Sequence, residues 1–71
     1  GPQYIVGAYS SLENAQSMVE TLRSKGMTGA KIADRKGGLN RVSAGGSENI
    51  LEMEAIAEKA EAAGYKGWIL K

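Results

Sequence analysis

Apolar residues along this chain follow two rhythms that alternate, and the alternation occurs twice. The run Tyr4 to Ala8 is aromatic and β-branched, as in a central strand. Ala15, Met18, Val19 and Leu22 then stand at i, i+3, i+4 and i+7, the apolar stripe of a helix. Ser10 and Glu13 have the spacing of a capping box, Arg23 and Lys25 suit the last turn, and Gly26 supplies a left-handed stop. Met27 to Ala33 predicts a second strand, with Ala30 and Ile32 on one side, and Asp34 to Gly38 a hairpin loop. Leu39 to Gly45 predicts the third strand. Asn49 is the expected cap of a second helix, with Glu52 three residues on and Ile50, Met53, Ile56, Ala57 and Ala60 as its buried stripe. Gly64 ends that helix, and Tyr65 to Lys71 is the last strand.

The two halves are versions of one unit. Gly7, Gly26 and Gly29 recur 38 positions later as Gly45, Gly64 and Gly67, and Tyr4, Val6, Met18 and Val19 recur as Val42, Ala44, Ile56 and Ala57. A strand-helix-strand unit repeated once predicts an α+β fold, βαββαβ of the ferredoxin-like or RNP-like split type. Its four strands form an antiparallel sheet with both helices on one face. The opposite face is bare, and work is expected there.

Composition narrows what that work can be. The 71 residues include no cysteine and no histidine, which removes disulfides, thiolate nucleophiles, imidazole bases and the usual zinc or haem ligands. The serines have no base beside them, and neither Gly37-Gly38 nor Gly45-Gly46 has the context of a phosphate loop. A non-enzyme with no cofactor and no metal is expected. No apolar run is long enough to cross a bilayer, so no membrane insertion by this segment is expected. Gly1-Pro2 resembles the remnant of a cleaved tag, leaving residues 3–71 as one domain taken from something longer. At this size the expected net stability is only ~3–5 kcal/mol.

Net charge is +1, but its distribution is uneven. Lys31, Arg35, Lys36 and Arg41 against Asp34 make the middle of the chain net +3, while Glu48, Glu52, Glu54, Glu58 and Glu61 against Lys59 make the second helical stretch net −4. A basic sheet side and an acidic helix side point to a weakly anionic partner. Solvated helix faces explain the acidic half equally well.

Alternation in the third strand sends Val42 and Ala44 toward the helices and Arg41 and Ser43 onto the bare face. An arginine at mid-sheet aims a fork of donors outward; an arginine paired to a neighbouring carboxylate is the blander alternative. Trp68 has two registers. Strict repeat spacing pairs it with Ala30 and buries it, whereas a slip of one residue pairs Ile69 with Ile32 and turns the indole outward. The second is favoured, because the alanine-rich helix leaves little room for an indole. Gly7 marks a bulge or a bend before the helix.

These residues resemble the SPOR domain of bacterial cell-envelope and division proteins, from Tyr4 to Lys71. The likeness rests on Val6-Gly7-Ala8-Tyr9-Ser10-Ser11, Glu13-Asn14-Ala15 and Leu22 to Gly26 in the first half. Arg41-Val42-Ser43-Ala44-Gly45, Gly64-Tyr65 and Trp68 carry it in the second. Three positions depart from the family pattern. Ile5 stands where glutamine is frequent, Asn40 where an aromatic precedes the arginine, and Gly46-Ser47 where another aromatic follows the glycine. The double repeat and the missing catalytic residue types predict a non-catalytic monomer, and the resemblance implies a module in the periplasm that binds septal peptidoglycan, specifically glycan strands stripped of stem peptides, and so targets its parent protein to the division septum. It implies Arg41, Ser43, Trp68, Ile5, Gln3 and Gly7 as the glycan contacts. Stripped strands carry a free lactyl carboxylate on each muramic acid, which suits an arginine beside an indole. Two readings compete: an RNA-binding domain, disfavoured by low charge and a third strand without aromatics, and an interaction or dimerisation module.

Overall fold

The computed structural model describes residues 1–71 as β1 (Gln3–Tyr9), α1 (Leu12–Ser24), β2 (Lys31–Lys36), β3 (Leu39–Gly46), α2 (Ile50–Ala62) and β4 (Trp68–Leu70). The sheet is antiparallel in the order β2-β3-β1-β4, so the first strands of the two repeats lie side by side at its centre. This is the βαββαβ architecture, α+β. Tyr4, Val42, Ala44 and Ala30 meet Ala15, Val19 and Leu22 of α1 and Met53 and Ala60 of α2 in one buried cluster. Both helices therefore cover the same face.

The helix ends follow local chemistry, with one shift. Ser11, not Ser10, caps α1: its backbone is extended, and its hydroxyl accepts from the Asn14 amide at 3.1 Å. Asn49 caps α2 in the same manner, accepting from the Glu52 amide at 3.0 Å. Gly26 and Gly64 stop the helices at φ +94° and +92°, values that other residues resist. The stripe of α2 is Met53, Ile56, Ala57 and Ala60, without Ile50. Ile50 is 73 % exposed because it begins the helix beyond the edge of a strand only three residues long.

Strand boundaries depart further from expectation. The segment after Gly26 is first a turn, in which the Met27 amide reaches the Leu22 carbonyl and the Ala30 amide the Met27 carbonyl, so β2 starts at Lys31. The β2-β3 connection is only Gly37-Gly38, at φ +57° and +78°, the two-residue turn of a tight hairpin. Asp34, Arg35 and Lys36, expected in a loop, are thus strand residues. The last strand is Trp68–Leu70 rather than all of 65–71.

The edge strand β4 is anchored from within the core. Tyr4, buried under the helices, accepts at its hydroxyl from the Gly67 amide at 2.8 Å. Tyr4→Phe leaves that amide without its partner, which costs about 1–3 kcal/mol. The thermal midpoint is expected to fall by roughly 4–8 °C for each kcal/mol lost. An unchanged midpoint would show that water replaces the hydroxyl at no cost.

Candidate functional site

On the uncovered face, each side of β3 carries an irregularity at the same level. In β1, Ile5 pairs with Ser43 but Gly7 with Val42, so one extra residue is inserted; in β2, Ile32 pairs with Val42 but Asp34 with Arg41. A bulge reverses the alternation beyond it. Ala8 and Asp34 thereby come to flank Arg41 on the open face, whereas an unbroken alternation would aim both toward the helices.

Arg41 is held at both ends of its guanidinium. Its Nε and Nη2 donate to Asp34 Oδ1 and Oδ2 at 2.7 and 2.6 Å, a two-bond fork, and its Cζ lies 5.5 Å from the centre of the Trp68 ring. Ala8, the partner of Arg41 on β1, adds only a methyl group to the recess that Arg41 and Trp68 share, so the long arginine can reach the indole. The Arg41 side chain is 15 % exposed and that of Asp34 41 %. Hydrogen bonding to Arg41, reinforced by the charges of Arg41 and Lys36, holds the Asp34 carboxyl below its ordinary range against a smaller opposing effect of burial. The same bond raises Arg41. The pair is therefore ionised at neutral pH.

Trp68 faces outward, 49 % exposed, directly across from Ile5. Trp68, Arg41 and Lys66 border a recess of about 210 Å³, floored by Ile5, Gly7 and Ala8. Lys31, registered with Ser43, and Lys36, registered with Leu39, lie on the same face. The sheet side is thus basic around a single acid, while α2 carries Glu52, Glu54, Glu58 and Glu61.

The remaining sequence candidates occupy supporting positions. Ile5 is only 2 % exposed and offers a floor rather than a contact surface, because the indole and the neighbouring strand cover it. Ser43 is fully buried: its hydroxyl donates to Gln3 Oε1 at 2.6 Å and accepts from the Gly45 amide at 2.9 Å, tying down the irregular end of β3. Gln3 is half-buried above it. The missing side chain of Gly7 points away from the open face, since a Cβ there would fall 2.9 Å from the Tyr9 ring. Asp34 was not among the expected site residues. Its only sequence signal is that it is the sole acid between Glu20 and Glu48 and precedes a basic pair, Arg35-Lys36.

The family model described as SPOR domain matches residues 4–71. Comparison with curated proteins and with solved structures returned no match.

Proposed function

The chain belongs to the SPOR domain family, which is known for peptidoglycan binding and occurs in bacterial cell-envelope and division proteins; from that premise we propose that residues 3–71 bind glycan strands stripped of their stem peptides, through the open sheet face. The observation that carries the reading is the outward Trp68 with a guanidinium 5.5 Å from its ring, beside a shallow recess on a basic face. The flat apolar side of a sugar ring stacks on the indole. Asp34 takes the Nε and Nη2 edge of Arg41, and of the five guanidinium N–H groups the three others remain for sugar oxygens and a lactyl carboxylate. Lys66, at the rim, adds charge.

The module acts by binding and not by hydrolysis. Cleavage of a glycosidic bond generally uses a pair of carboxylates flanking it, and Asp34 is the one acid on the strands. An RNA-binding reading is weaker, because Tyr4 and Tyr9 of the central β1 pack toward the helices and cannot serve as base-stacking platforms. Placed in the periplasm, a monomeric module of this kind carries its parent protein to the septum, where amidases expose stripped strands.

Purified sacculi, with and without amidase digestion, test the reading. The wild-type protein is expected to bind digested sacculi better, with the advantage shrinking as salt rises and the Debye length falls below ~8 Å. Arg41→Lys keeps a charge but loses the planar fork, so it should fall between wild type and Arg41→Ala. Should Arg41→Ala keep the wild-type ratio of digested to undigested binding, the arginine does not sense the removal of peptides.

A further inference from the structure

Three other hollows are larger than the recess at Trp68 and carry less; one of about 490 Å³, along Gln16, Glu20 and Arg23 of α1 and the edge strand β2, is an open surface groove. A cleft of about 350 Å³ between the 26–29 turn and α2 is lined mostly by glycines and alanines, with Lys59 its only charged side chain and Thr28 its only hydroxyl. A hollow beside Ile50 and Ile69 is rimmed by Glu48 and Lys71, whose opposite charges favour no one class of occupant. The clamp on Arg41 is different, because three independent features converge on it: the two-bond fork from Asp34, the indole over Cζ, and the bulge in β2 that turns Asp34 to the open face. Bulges recur next to functional sites for this purpose, re-aiming one side chain.

We propose that Asp34 is a specificity-determining residue of the glycan face, filling one edge of Arg41 so that a carboxylate binds there only when it arrives on a sugar stacked against Trp68. The proposal rests on the glycan reading of the same face. An arginine without a partner attracts any accessible carboxylate, including those of intact stem peptides. With Asp34 in place, an incoming carboxylate shares one guanidinium with a second anion, and the two repel. Charge attraction alone is then insufficient, and stacking on the indole must supply the rest. Asp34 thus trades affinity for discrimination, a use of repulsion common in selective sites.

Trp68 is the only tryptophan, so its fluorescence reports from the site itself. Three probes separate the contributions: N-acetylmuramic acid has ring and carboxylate, N-acetylglucosamine the ring alone, and lactate the carboxylate alone. Asp34→Asn keeps the shape and removes the charge. It is expected to bind N-acetylmuramic acid about two- to fivefold more tightly at low salt, the range of an exposed ion pair, and to gain lactate binding that wild type lacks. N-acetylglucosamine should be unaffected. The gain should vanish in Asp34→Asn combined with Arg41→Ala, and it should not appear in Glu54→Gln, which makes the same charge change on exposed α2. Asp34→Ser serves if the asparagine variant is unstable.

Weaker binding of both carboxylates by Asp34→Asn would overturn the proposal and leave Asp34 as a brace. An equal gain for N-acetylglucosamine, a gain that survives loss of Arg41, or no gain for either carboxylate would also sink it. If wild type ignores sacculi and both sugars, the glycan reading fails by itself. An Arg41-dependent gain of lactate binding in Asp34→Asn still supports the role of Asp34 in that case, and its absence refutes it.

Discussion

Alanine at Gly67 is expected to unseat β4 and, with it, the proposed binding face. A Cβ at this position would land on the carbonyl oxygen of Ile5, 2.8 Å from its carbonyl carbon and 3.2 Å from Val6 Cγ1. The first two are backbone atoms of the central strand β1, so they cannot swing aside as the end of a flexible side chain would. Glycine is required here by close approach of two backbones. Relieving the overlap moves β4 away from β1, breaks the Ile5-Trp68 register and pulls the Gly67 amide off the Tyr4 hydroxyl. Overpacking of this kind costs about 1–3 kcal/mol, and a lost buried hydrogen bond adds to it. In a domain expected to hold only ~3–5 kcal/mol in total, the midpoint should drop by well over ten degrees or the transition should broaden. Hydrogen exchange distinguishes the two: detachment of β4 speeds Trp68 to Leu70 alone, and global unfolding speeds β1 and β3 as well. Gly37→Ala is the contrast, because nothing lies within 4 Å of that Cβ and only the positive φ resists it, at about 1 kcal/mol. If Gly67→Ala melts and binds like wild type, the close approach does not constrain the strand.

The parts of this fold that were legible in the sequence are those set by local chemistry. Helix stripes, the Asn49 cap and the glycine stops need only nearest neighbours along the chain, and the 38-residue echo between halves supplied the topology. The outward Trp68 was legible by elimination, since α2 offers alanines where an indole would need space. Asp34 was not legible. Parity along β2 places it on the same side as Ile32, and only the extra residue between them reverses that; a bulge leaves no mark in the pattern of apolar and polar positions. The same holds for Gly7 and Ile5. Reading β1 as an unbroken strand cannot show that Gly7 turns toward Tyr9, or that Ile5 is roofed by the indole from the neighbouring strand. The blander alternative for Arg41, a carboxylate partner, was correct about the contact and silent on the edge of the guanidinium left over.

Trp68→Ala is expected to abolish most of the affinity for digested sacculi while leaving the fold in place. About half of the side chain is already in water, and the residue sits in an edge strand away from the buried cluster under the helices. Truncating an aromatic at the centre of a small contact surface commonly costs about tenfold or more in affinity. Stability should change far less than the ~3–5 kcal/mol lost when a fully buried tryptophan is removed, although uncovering Ile5 adds a small cost. The far-UV circular dichroism should match wild type and the midpoint should fall by no more than a few degrees. Trp68→Phe, which keeps a smaller ring over the same floor, should recover part of the binding. That recovery separates stacking from a general loss of surface, because Arg41 can still lean on a phenyl ring but not on a methyl group. Full sacculus binding by Trp68→Ala would move the site off this face, and a collapsed midpoint with an intact Trp68→Phe would make the indole a cover for Ile5 before anything else.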